Sequence, residues 1–141
     1  MPVKRISPQQ RAEVIKRAKG VCEYCRCQAR YASGPYAVDH IIPKSLGGTN
    51  RLTNLAYACS SCNGHKHTKL SGLDPLTGQF VSLFHPRRQN WEQHFAWNED
   101  FTLMVGLTAV GRATINALYL NREEAVSTRE ALRILKRHPP V

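Results

Sequence analysis

Val38-Asp39-His40-Ile41-Ile42-Pro43, preceded by Cys22-Glu23-Tyr24-Cys25 and followed by Cys59-Ser60-Ser61-Cys62-Asn63, is the stretch on which the reading of this chain turns. Two Cys-x-x-Cys pairs in one small chain point to Zn²⁺ held tetrahedrally by four thiolates, a closed site that organises a fold. Disulfides would suit a secreted chain, but Met1-Pro2-Val3-Lys4-Arg5 has no apolar signal region. A redox role for either pair would need a thioredoxin-like βαβ pattern, which the sequence lacks. The fifth cysteine, Cys27, is expected to stay a free thiol, although Cys-x-x-Cys-x-Cys leaves open which sulfurs bind.

Between the cysteine pairs, residues 35–42 read as a short strand ended by Pro43. Gly47-Gly48 supplies positive-φ freedom for a reversal, and residues 54–58 form a second strand returning beside the first. Ser60 or Ser61 can cap a helix running through Lys69, with Gly64 weakening its interior by about 1 kcal/mol relative to Ala. The order is therefore strand, loop, strand, helix. Upstream, Ser7-Pro8-Gln9-Gln10 opens a helix with an N-cap, a proline at the first helical position and a capping box. That helix is expected to end at Gly20, with Val14, Ile15 and Ala18 as its apolar stripe. Arg11, Lys16, Arg17 and Lys19 form either a solvated face or a surface laid along a polyanion.

The 141 residues are 42% hydrophobic and 21% charged, which suits one compact unit with at most an appended subdomain. No apolar run approaches the roughly 18 residues of a membrane span, so a soluble cytoplasmic protein without a membrane partner is expected. The net charge is +10. Residues 1–70 hold 12 Lys/Arg against 3 Asp/Glu, whereas residues 71–141 hold 8 against 7. A cationic excess that local suits a face turned to phosphates, from which bound cations release counterions; a merely soluble basic protein is the plainer reading.

Thirteen residues separate Cys25 from Asp39, 13 separate His40 from Asn54, and 8 separate Asn54 from Asn63. In this order the elements resemble the HNH endonuclease family, of ββα-metal fold, in the subgroup whose active site lies between two Cys-x-x-Cys knuckles. The resemblance implies that His40 is the general base, that Asn54 orients it, and that Asp39 and Asn63 bind a catalytic divalent cation. Asn63 stands where other members have His, a variant the family also uses. Cys22, Cys25, Cys59 and Cys62 would hold the structural zinc. A neutral imidazole can take a proton from attacking water. The carboxylate and amide oxygens suit Mg²⁺ or Mn²⁺ better than zinc. Adjacent strand residues point to opposite faces, so an irregular first strand is expected if Asp39 and His40 are to meet one site. The implied products are 3′-hydroxyl and 5′-phosphate ends.

His67, four residues after Asn63, is either an added ligand or phosphate contact on the same helical face, or a surface histidine without a task; His65 points elsewhere. Lys66 matches a basic residue common after the second knuckle and is expected at phosphate, with Lys44, Arg51 and Lys69 weaker DNA contacts of the same kind.

Beyond Leu70, Asp74-Pro75-Leu76-Thr77-Gly78 is turn chemistry, and residues 80–84 and 101–105 are expected strands. Helices are expected over residues 109–120 and after the capping box Ser127-x-x-Glu130, stopped by Pro139-Pro140. Leu83-Phe84-His85-Pro86-Arg87, Trp91-x-x-His94-Phe95-x-Trp97 and Gly106-Leu107-Thr108-x-x-Gly111-Arg112-Ala113-Thr114 are similar to an extension of many stand-alone bacterial HNH proteins. For Trp91, Phe95 and Trp97 a core role is favoured over base stacking. Arg87-Arg88 either reaches phosphate or is simply exposed.

The expected fold is α+β: a ββα-metal core with a structural zinc site of four cysteines and an N-terminal helix (residues 1–70), then a C-terminal β-hairpin and helical extension (residues 71–141). The expected function is a metal-dependent DNA endonuclease of little sequence specificity. The alternatives are a zinc-stabilised DNA-binding module that does not cut and a zinc scaffold for protein contacts.

Overall fold

A computed structural model describes residues 5–140 of the chain; residues 1–4 and 141, and with them most of the segment read as lacking a signal region, lie outside it. Helix α1 (Pro8–Ala18) begins as its sequence dictates. Ser7 Oγ accepts from Gln10 N–H at 3.1 Å and Gln10 Oε1 accepts from Ser7 N–H at 3.0 Å. The helix stops two residues before Gly20, because Lys19 itself takes the left-handed conformation at φ 57°. Val14 is fully buried, with Ile15 and Ala18 packed beside it.

Strands β1 (Ala37–His40) and β2 (Leu55–Ala58) pair antiparallel, with Asp39 opposite Ala56 and His40 opposite Leu55. Helix α2 (Ser60–Lys66) follows directly. Its N-cap is Cys59 rather than either serine: the Cys59 sulfur accepts from Cys62 N–H at 3.4 Å, leaving the serine hydroxyls no capping task. It also ends at Lys66, three residues short of expectation, where His67 leaves helical geometry at φ 48° and ψ −116°. In the loop joining β1 to β2, Gly47 adopts the expected positive φ of 90°. Gly48 serves differently, since a Cβ there would lie 1.7 Å from the Ile42 carbonyl oxygen.

The second half of the chain adds two short hairpins and three helices. Strands β3 (Ser71–Leu73) and β4 (Phe80–Ser82) form one hairpin. A single turn, α3 (Trp91–His94), leads into the second, β5 (Phe95–Trp97) with β6 (Met104–Gly106). Helices α4 (Ala109–Leu118) and α5 (Glu123–Ile134) follow. Helix α5 starts four residues before the Ser127 box and ends well before Pro139. Its buried Ala125, Arg129 and Leu132 supply the packing that overrides the local capping pattern.

Trp91 and Phe95 are core, as favoured, and Trp97 is half-buried against them. Phe95 is 1% exposed and meets Phe84 edge-on at 5.3 Å, while the Trp91 indole N–H donates to the Tyr24 carbonyl at 3.2 Å. Arg87 is spent on an ion pair with Glu23. The Gly106–Thr114 motif braces this half: Thr108 caps α4 by accepting from Gly111 N–H at 3.1 Å, and Thr114 Oγ1 accepts from Phe84 N–H at 2.9 Å.

Arg112 grips the buried Asp74 through Nε and Nη2, both at 2.9 Å, and Thr77 and the Leu76 amide also donate to that carboxylate. These donors, Arg112 first, hold the Asp74 carboxyl well below the usual carboxylate range. The unfolded chain then binds more protons than the native one as pH drops through the ordinary Asp value of about 3.9. The stabilisation is complete above that value and fades below it. Asp74→Asn is expected to lower the urea midpoint at pH 7, and the two midpoints should converge progressively below about pH 4.

Candidate active site and metal centre

Cys22 and Cys25 sit in the turn after α1, and Cys59 and Cys62 at the β2–α2 junction. Their four sulfurs all lie within 4.8 Å of one another, with Cys25 and Cys59 Sγ 3.7 Å apart. Zinc–sulfur bonds of about 2.3 Å in a tetrahedron separate the sulfurs by about 3.8 Å, so this donor set fits zinc. Cys27 lies outside this group of four, its thiol hydrogen-bonded to Cys25. Burial pushes the Cys22 thiol up, whereas hydrogen bonding, from Cys22 first, holds Cys25 well below its ordinary range.

One flank of the cluster is covered from the C-terminal half. The Arg122 guanidinium, just before α5, lies 3.6 Å from Cys59 Sγ, 3.8 Å from Cys62 Sγ and 4.0 Å from Cys25 Sγ. Burial works against its charge, but the sulfurs more than offset this and hold its pKa above the ordinary range. Four thiolates around a Zn²⁺ would leave an excess of two negative charges, which a guanidinium at this distance would partly balance.

Strand β1 delivers Asp39 and His40 side by side. The irregular strand expected there is not found: the β1–β2 ladder runs in register through His40, and Ile41 N–H continues it to the Asn54 carbonyl at 2.9 Å. The two side chains accordingly diverge. Asp39 turns inward, 4% exposed, and accepts from the Tyr24 hydroxyl at 2.7 Å. His40 is half-buried on the loop side, with Nε2 2.8 Å from Asn50 Oδ1.

Lys66 is not placed to meet phosphate. It is 2% exposed, and its ammonium lies 3.2 Å from Asp39 Oδ2, 3.1 Å from the His40 carbonyl and 3.0 Å from the Ile41 carbonyl. Burial, the largest influence, lifts the Asp39 carboxyl above its ordinary range against the pull of Lys66 and Tyr24. Asn63 lies on α2, one helical turn before Lys66, and is half-buried.

Asn54 does not touch the His40 ring. Its Oδ1 accepts from Ile42 N–H at 2.8 Å, and its Nδ2 donates to the Ile42 and Thr49 carbonyls at 3.0 and 2.9 Å. It is a buried clamp on the loop that carries Asn50. His67 is exposed beyond the end of α2, so the shared helical face expected with Asn63 is lost. Of the other cations, Arg51 is exposed, Lys44 is half-buried, and Lys69 is exposed with its ammonium on the His65 carbonyl at 2.9 Å. Tyr24, Asn50 and Arg122 were not foreseen. Only tertiary contacts give them these partners.

Residues 22–69, the stretch that holds the cysteine cluster and the β1–β2–α2 unit, match the family described as HNH endonuclease. Over 80 residues it is 33% identical to the type IV methyl-directed restriction enzyme EcoKMcrA of Escherichia coli (strain K12). That similarity covers 54% of this chain and 29% of the restriction enzyme.

Lys66→Met would strand a buried carboxylate and is expected to cost about 3–5 kcal/mol in urea unfolding. Cys59→Ser is expected to lower bound zinc, measured by atomic absorption, and with it the thermal midpoint, because zinc coordination supplies folding energy to so small a core. Unchanged zinc and midpoint would contradict that.

Proposed function

We propose that the chain is a metal-dependent DNA endonuclease in which His40 is the general base. The observation that carries this reading is the placement of Asp39 and His40 at the end of β1, with α2 held against Asp39 through Lys66. Residues 1–70 would form the nuclease, with Zn²⁺ at the four cysteines fixing its frame, and residues 71–141 would brace it. DNA would be met by the more basic half, with Lys44, Arg51 and Lys69 as phosphate contacts and His67 as a further contact at the rim. A cytoplasmic location belongs to the same reading. Among the described residues, no helix is long and apolar enough to cross a membrane.

In cleavage, His40 takes a proton from water as the water oxygen bonds to phosphorus, the bond to the 3′ oxygen breaks, and that oxygen acquires a proton from solvent. Asp39 and Asn63 would hold Mg²⁺ or Mn²⁺. Such a cation supplies neutralisation of the charge growing on the phosphate and on the departing 3′ oxygen. The ends would be 3′-hydroxyl and 5′-phosphate. Asn54 holds the 42–49 loop closed, and Tyr24 keeps the Asp39 carboxylate in one orientation.

The seat of Lys66 on Asp39 favours a second reading, a zinc-stabilised DNA-binding module that does not cut. A lysine already neutralising that carboxylate competes with a divalent cation, and for cleavage it has to share the carboxylate or withdraw.

Plasmid nicking separates the two readings. With Mg²⁺ or Mn²⁺ the protein is expected to convert supercoiled to open-circular DNA. His40→Ala is expected to abolish this while retaining zinc and fold. Methylated and unmethylated plasmids belong in the same assay, since EcoKMcrA is methyl-directed. DNA binding without nicking under any of these conditions selects the module, and full activity in His40→Ala sinks the mechanism.

A further inference from the structure

We infer that Asn50 is the positioning residue that sets the tautomer of His40, and that the N-terminal helix holds Asn50 to this task. The inference rests on His40 being the base. The atom 2.8 Å from His40 Nε2 is Asn50 Oδ1. An amide oxygen has lone pairs and no hydrogen, so the ring nitrogen facing it must donate. A neutral imidazole carries one N–H; with Nε2 as donor, the lone pair able to receive a proton is on Nδ1. Asn50 thereby decides which edge of the ring is basic and turns that edge away from the loop.

Asn54 cannot serve in this way, because its amide is committed to Ile42 and Thr49. Asn50 is itself anchored. Its backbone carbonyl accepts from Gln10 Nε2 at 2.8 Å, and Gln10 is fixed by the capping box it shares with Ser7. On the other side, the Asn54 amide holds the Thr49 carbonyl at 2.9 Å. The helix start and the loop clamp thus grip the backbone on both sides of the Asn50 side chain. The loss of that side chain leaves the ring free to exchange tautomers and to rotate. Misplacement of a reacting group by about 1 Å can cost about 100-fold in rate.

The test combines ring ¹⁵N NMR of the zinc-loaded protein, without DNA, with nicking kinetics. The His40 signals are assigned among the six histidines by their absence in His40→Ala. At a pH where the ring is neutral, the wild type is expected to show an Nε2–H tautomer. Asn50→Leu is expected to show averaged ring shifts and a kcat about 10–100-fold lower, with KM within about twofold. Zinc content and thermal midpoint should stay as in the wild type. Asn50→Asp keeps an acceptor oxygen and is expected to restore the tautomer. An Nδ1–H ring in the wild type, or an unchanged tautomer or unchanged kcat in Asn50→Leu, overturns the inference. Retained cutting by His40→Ala overturns the base itself, so the two failures are distinguishable.

Discussion

Convergence of four sulfurs at one point is the constraint on which the rest of this molecule depends. Cys22 and Cys25 lie in the turn after α1, while Cys59 and Cys62 join β2 to α2, so their meeting locks both ends of the segment that bears Asp39, His40 and Asn54 and fixes the start of α2, which bears Asn63. Cys59 has two tasks, as a member of the cluster and as the cap of α2, so the sulfur frame also fixes where the helix starts. Arg122 extends this frame to the second half of the chain. Its guanidinium faces three of the sulfurs from the start of α5, which ties a helix far along the sequence to the charge of the cluster.

Inside that frame the dominant electrostatic fact is a carboxylate buried next to a strand end. Asp39 cannot stay ionised there without partners, since removing a charge from water costs several kcal/mol. Tyr24 and Lys66 meet that demand, and Lys66 also takes up two backbone carbonyls of β1 and the residue after it. The arrangement concentrates oxygen donors around a cation, the environment a hard divalent ion also prefers. On the proposed reading, a divalent cation would compete there with the Lys66 ammonium. His40 meets different physics on the other side of the strand, where a hydrogen-bonded loop sets its ring.

Sequence patterning was most legible where local chemistry acts over a few residues. The Ser7 capping box, the paired knuckles, the two strands between them and the aromatic core of Trp91 and Phe95 all follow from spacing, side-chain polarity and turn residues. It was least legible where a distant partner decides. The Ser127 capping box loses to the buried face of α5. The serines after Cys59 lose the capping role to its sulfur.

From the sequence alone came the family resemblance of the domain, the four clustering cysteines and the candidacy of Asp39, His40, Asn54 and Asn63, because the motif that carries them is a matter of residue type and short-range spacing. Only the tertiary structure decided what these side chains touch. It turned Asp39 toward Lys66 and His40 toward Asn50, gave Asn54 to the loop, and set Arg122 on the cysteines. The physical reason is that hydrogen bonds and ion pairs form over about 3 Å in space, irrespective of separation along the chain.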